Sequence, residues 1–145
     1  DRYGKYSLSG EYAYDRPFLW GSKRTGPDLH RVGNYRTTDW HESHMKNPSA
    51  VVPGSIMPKY PWLFVKNADL DTAYAEAYTV KTVFKVPYDQ PSGIPLGSRE
   101  DAQKSIMEQA KGIVADMKDK DVKDAFEKGE VKEIVALIAY MNKLK

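Results

Sequence analysis

Cysteine is absent from the 145 residues. Its absence excludes disulfides, zinc-thiolate sites and thiol catalysis, and it excludes covalent haem attachment within the chain, which needs Cys-x-x-Cys-His. Excess charge of one sign is also missing: 22 Lys and Arg against 20 Asp and Glu leave a net charge of +2. No dense basic patch is interleaved with aromatics, so nucleic acid is not an indicated partner. No apolar run approaches the roughly 20 residues of a membrane span, and no signal peptide is visible. Residue 1 is Asp, not Met. The chain is therefore expected to be a processed or trimmed piece of a longer protein, and the missing targeting and anchoring segments carry little weight.

What remains is an ordinary soluble composition, 41% hydrophobic and 29% charged, long enough for one domain with a real core. Tyrosine is abundant, with ten in the chain, and Tyr3, Tyr6, Tyr12 and Tyr14 crowd the start. The sequence changes character near residue 68. Before it, Gly, Pro and aromatics are scattered, and residues 1–35 read as loop with short extended pieces. A helix is expected over about 39–47, capped by Thr38 or Asp39 and stopped by Pro48. Residues 48–66 hold Pro48, Pro53, Pro58 and Pro61 and read as a loop of fixed path.

After residue 68 helical spacing dominates. Leu70, Ala73, Tyr74, Ala77, Val80 and Phe84 form one stripe over 69–86. Three prolines and two glycines then break the pattern in "VPYDQPSGIPLGS". Ser98 with Asp101 is a capping box that opens a helix with Ala102, Ile106, Gln109, Ala110, Ile113 and Met117 inward. "KDKDVKDAFEKGE" suggests one short helix ending at Gly129. The last helix, about 130–143, carries Ile134, Leu137, Ile138, Met141 and Leu144 on one face. The pattern is mainly α, with long ordered loops in the first half; such loops usually serve a function or a bound group.

Three features bear chemistry. "TGPDL" at 25–29 contains a tight Gly26-Pro27 turn, which taken alone is a surface turn. In "IMPKYPWL" at 56–63, Met57 precedes Pro58, and a residue before proline is pushed towards extended backbone. A sulfur so restricted can be aimed, and thioether is a soft ligand for haem iron or copper(I). Met107, Met117 and Met141 instead sit on apolar helix stripes, the usual core use of methionine. His41 and His44 share a helix face three residues apart, but no carboxylate or thiol completes a ligand pattern, and Glu42 lies on another face. A surface or packing role therefore outweighs a metal role. Hydrolase motifs, Gly-rich phosphate loops and Ser-His-Asp arrangements are absent, and the acidic residues read as a solvated face.

The order "GPDL", then "MP" in an ordered loop, then a terminal helix "EIVALIAYMNKL" resembles class I cytochromes c. The stretches "YDRPFLWGSKRTGPDL", "DWH", "VVPGSIMPKYPWL" and "ALIAYMNKL" resemble more closely the mono-haem subunit (FixO or CcoO) of cbb3-type cytochrome c oxidases. The likeness is dense over residues 1–63 and good over the last fifteen. It implies one cytochrome c-like domain over 1–145, with a loop-rich haem-pocket half (1–68) and a helical half (69–145). It implies an electron-transfer role without a catalytic site of its own: electrons pass through haem c to the subunit that reduces oxygen. Partners would be the catalytic and di-haem subunits, at the periplasmic side of the bacterial inner membrane, with the membrane reached through an N-terminal anchor. By position Met57 would be the axial ligand of the haem iron. Gly26, Pro27 and Leu29 would line the haem, and Tyr60 and Trp62 would shape the pocket.

The departure from the family is the missing Cys-x-x-Cys-His, expected upstream of Asp1. The chain is thus expected to be truncated at its N-terminal helix, free of covalent haem and redox-inert. The apolar face of the terminal helix would then lack its usual partner, and self-association through that face is the expected outcome. The alternatives are a haem-less cytochrome-fold domain used for binding or assembly, and a copper site built from Met57 with His41 or His44.

Overall fold

Helix caps and prolines set the element boundaries. The computed structural model describes Leu8, residues 26–87 and residues 96–145. Among the described residues a short 3-10 turn at Val32–Asn34 is followed by seven α-helices. These are α1 (Thr38–Lys46), α2 (Pro48–Val51), α3 (Trp62–Val65), α4 (Leu70–Phe84), α5 (Arg99–Asp116), α6 (Lys120–Glu127) and α7 (Glu133–Lys143). The mainly α class read from the sequence is the observed one. The described residues hold no strand, only an isolated antiparallel bridge between Asn67 and Lys132. The readings for residues 1–7, 9–25 and 88–95 lie outside the described residues.

The capping box at Ser98 is present: its Oγ accepts the Asp101 N–H at 3.1 Å and donates to the Asp101 carboxylate at 2.6 Å. Asp69 and Asp119 cap α4 and α6, their carboxylates accepting the Thr72 and Val122 N–H groups. The cap of α1 is Thr37, whose hydroxyl accepts the Trp40 N–H, not Thr38 or Asp39. In the run Thr37-Thr38-Asp39 any of the three has the chemistry, and the backbone of Thr37 alone is extended, as a cap must be. Gly129 ends the α6 turn at φ +83°, the left-handed conformation that favours glycine.

The prolines correct one expectation. Residues 48–66 are not all loop, because Pro48 opens α2 and Pro61 caps α3. Proline breaks a helix interior but suits a first turn, where its missing N–H has no partner to lose.

The core lies around α7. Ile134 and Ile138 are fully buried, with Val135, Met141 and Leu144 nearly so. They pack with Ala110, Ile113, Val114 and Met117 of the α5 region, Val122 of α6, Val131 and Val32. Each such side chain contributes about 1.5–3 kcal/mol on burial. Met117 and Met141 are core, as read, and Met107 packs against the core half-buried. The apolar face of α7 is therefore covered by this chain's own helices, and the premise for self-association through it is gone.

The stripe read over 69–86 lies on α4. Leu70, Tyr74, Ala77 and Val80 along it are half-buried, Leu70 against the core, while Phe84 at the end of the helix is 58% exposed. The helix meets α5 where Tyr74 Oη donates to the Gly97 carbonyl at 3.0 Å and Arg99 pairs with Asp71.

α1 runs beside α7 in the opposite direction. Its start meets the end of α7 through Asn142 Nδ2 and Thr38 Oγ1 at 3.4 Å. Its end meets α3 through Lys46, which lies 5.1 Å from the Phe64 ring centre.

Candidate functional site: the Met57 loop

Both loop segments singled out in the sequence hang on α7, at opposite ends. The Gly26-Pro27 turn is exposed. Beyond it, Asp28 Oδ1 accepts the His30 N–H at 2.9 Å, and Leu29 stands 50% exposed. The turn leads to Gly33, whose N–H donates to the Leu144 carbonyl at 2.8 Å at the C-terminal end of α7.

Met57 belongs to the other segment. Gly54 turns the chain at φ +81°. The Met57 N–H then donates to Ser55 Oγ at 3.3 Å. Three residues later the Tyr60 N–H donates to the Met45 carbonyl of α1 at 3.0 Å. Downstream, Ala68 N–H donates to the Val131 carbonyl at 2.7 Å, and Glu133 N–H donates to the Lys66 carbonyl at 3.0 Å. The loop is thus pinned to α1 before α3 and to the start of α7 after it. Pro61 fixes φ between the pins, and Pro58 fixes φ between Met57 and the first of them. Met57 itself is half-buried while its neighbour Ile56 is fully exposed. Tyr60 and Trp62 are brought together edge to face, ring centres 5.2 Å apart.

The surroundings suit an apolar macrocycle. Val52, Ile56, Trp62 and Val65, in and beside the Met57 loop, are between 43% and 102% exposed, and Leu29, towards the other end of α7, is 50% exposed. Open apolar surface in the chain around a half-buried methionine fits a haem, whose ring needs cover and whose iron accepts soft sulfur.

His41 and His44 pack against Trp40. His41 is 1% exposed, set edge-on to Trp40 with ring centres 5.4 Å apart. Burial, with lesser contributions from His44 and Arg36, pushes its pKa down to about 4. His44 stacks on Trp40 at 4.5 Å, and the Arg36 guanidinium lies 4.3 Å from a Trp40 ring centre on α1. Burial and Arg36 lower the His44 pKa as well. No group of three His, Cys, Asp or Glu that could hold a metal occurs among the described residues.

Two polar residues escaped the sequence reading. Glu42 is not part of a solvated face: it is 3% exposed and accepts the Lys118 N–H at 2.7 Å. Lys132 sends its ammonium to the Val65 carbonyl at 3.0 Å and to Asn67 Oδ1 at 2.6 Å. Neither partner stands near it in sequence, so no local pattern signals the contact.

Among curated proteins none matches this chain. The family described as cytochrome C oxidase, mono-heme subunit/FixO matches over residues 1–145, the whole chain. With a match over its whole length and a mainly helical fold, the chain belongs to the FixO family of mono-haem cytochrome c oxidase subunits.

Proposed function

We propose that this chain forms the greater part of the electron-transfer domain of a cbb3-type terminal oxidase, with Met57 as an axial ligand of a c-type haem iron. The observation that carries this reading is the half-buried Met57 on a loop pinned to α1 and α7 and flanked by exposed apolar side chains. When bound, the haem supplies a one-electron carrier. The Met57 sulfur favours the reduced iron and so raises its potential, as suits an oxidase donor. Gly26, Pro27 and Leu29 would line the ring, and Tyr60 and Trp62 would shape the pocket around the Met57 loop.

With no cysteine in its 145 residues, the chain supplies no thioether anchor. On its own it is haem-free and redox-inert, and the attachment motif comes from outside these residues. Its partners are the catalytic and di-haem subunits at the periplasmic side of the inner membrane. The chemistry at oxygen belongs to the catalytic subunit. No described helix is long and apolar enough to cross a membrane.

The test compares the complete subunit with the 145-residue chain by visible spectroscopy and redox titration. The complete subunit gives a Soret band and a reversible one-electron wave that Met57→Leu shifts to lower potential. A Soret band with a covalent haem signature from the 145-residue chain alone contradicts the reading.

A further inference from the structure

The Met57 loop has a third restraint besides its two backbone pins. Lys132 is the residue before α7, and its side chain is only 14% exposed. Its ammonium has three protons, and three acceptors surround it: the Val65 carbonyl at 3.0 Å, Asn67 Oδ1 at 2.6 Å and Glu130 Oε2 at 3.4 Å. Val65 is the last residue of α3, so its carbonyl has no partner within that helix. The same lysine pairs with Asn67 through the isolated backbone bridge. Two residues beyond it lies Ile134, fully buried, so the lysine stands next to a residue set in the core.

We propose that Lys132 is a positioning residue for the Met57 loop, clamping α3 and Asn67 to the start of α7 and so setting how firmly the Met57 sulfur is presented to the iron. This rests on the reading of Met57 as the ligand. The path is short and stiff. Between α3 and Met57 lie Pro61, Tyr60, Lys59 and Pro58, and both prolines lock φ. Tyr60 between them is held to Met45, so α1 and α3 together bound the path of the loop. A shift of α3 is therefore passed back along the loop instead of being absorbed in soft dihedrals.

The experiment uses the complete haem-loaded subunit and four variants. Lys132→Met removes the ammonium. Asn67→Ala keeps the positive charge and removes one of its acceptors. Lys132→Arg preserves both charge and donors. Met57→Leu is the control for the ligand itself. Imidazole binding to the ferric form reads how readily the sulfur is displaced, and amide hydrogen exchange reads the loop without reference to activity. Lys132→Met is expected to bind imidazole about tenfold more tightly, the scale of one charge-assisted hydrogen bond. Exchange at 60–66 should rise while the amides of α7 keep their protection. Asn67→Ala should move both readouts the same way by less, and Lys132→Arg should restore them. Imidazole affinity unchanged in Lys132→Met overturns the proposal, whether or not the loop exchanges faster. So does equal loss of protection along α7. If Met57→Leu binds imidazole as the parent does, the ligand reading itself fails. If it binds more tightly while the Lys132 variants do not, only the clamp fails.

Discussion

The carboxylate of Glu42, inside α1, accepts the backbone N–H of Lys118 just past the end of α5, at 2.7 Å. The contact joins residues 76 positions apart, and the Glu42 side chain is almost fully buried. Its other oxygen faces the Lys46 ammonium at 3.9 Å, and Lys46 in turn pairs with Asp119. α1 is thereby locked to the turn between α5 and α6. Glu42→Ala should strand the Lys118 N–H and cost about 2–3 kcal/mol, while Glu42→Gln, which keeps an acceptor oxygen, should cost about 1 kcal/mol. Urea denaturation of both variants checks the order; equal losses would show that the charge, not the acceptor, matters.

Gly33 is held against the backbone of α7. A Cβ built there would sit 2.7 Å from the Asn142 carbonyl oxygen and 2.8 Å from that of Met141. Backbone cannot swing away as a side-chain tip can. Gly33→Ala should cost about 1–3 kcal/mol, the range for an overpacked contact. Gly26→Ala should cost little, because nothing lies within 4 Å of the added carbon. Thermal melts of the two variants make the comparison, and equal stability would refute the close approach.

His41 ties stability to pH. Its pKa falls from 6.5 to about 4 in the fold, chiefly through burial. Between those values the unfolded chain takes up a proton that the folded chain refuses. Stability therefore falls as pH drops from 6.5 towards 4, and His41 contributes no further loss below that window. At about 1.4 kcal/mol for each pH unit the loss from this group is capped near ~3 kcal/mol. Denaturant midpoints of the parent chain and His41→Leu across pH 4–7 test this. The variant should have the flatter profile, and parallel profiles would assign the acid sensitivity elsewhere.

Ser98 begins α5 with a reciprocal bond to Asp101. Ser98→Ala should cost about 1 kcal/mol and release amide protection in the first turn of α5 before the rest of the helix. Uniform release along α5 would show that the cap is not what holds its end.

How far the sequence reaches is clear from particular residues. The cap at Ser98 and the apolar face of α7 were legible as local patterns; that this chain's own helices cover that face was not. The helices at Pro48 and Pro61 were not, since proline marks both the end of one helix and the start of another. At the candidate site, the prolines around Met57 signalled a restrained loop, and its backbone bond from Tyr60 to Met45 was not legible. Lys132 was not: it binds Val65 and Asn67 across 67 and 65 residues, a contact that only the fold creates.

The most direct measurement is a redox titration of the complete haem-loaded subunit and its Met57→Leu variant. Axial ligands move haem potentials over a range of roughly 0.8 V. With Met57 on the iron, the variant should fall by on the order of 0.1 V or more, and Met107→Leu, away from the loop, should titrate with the parent. A Met57→Leu subunit that titrates at the parent's potential would show that another residue holds the iron.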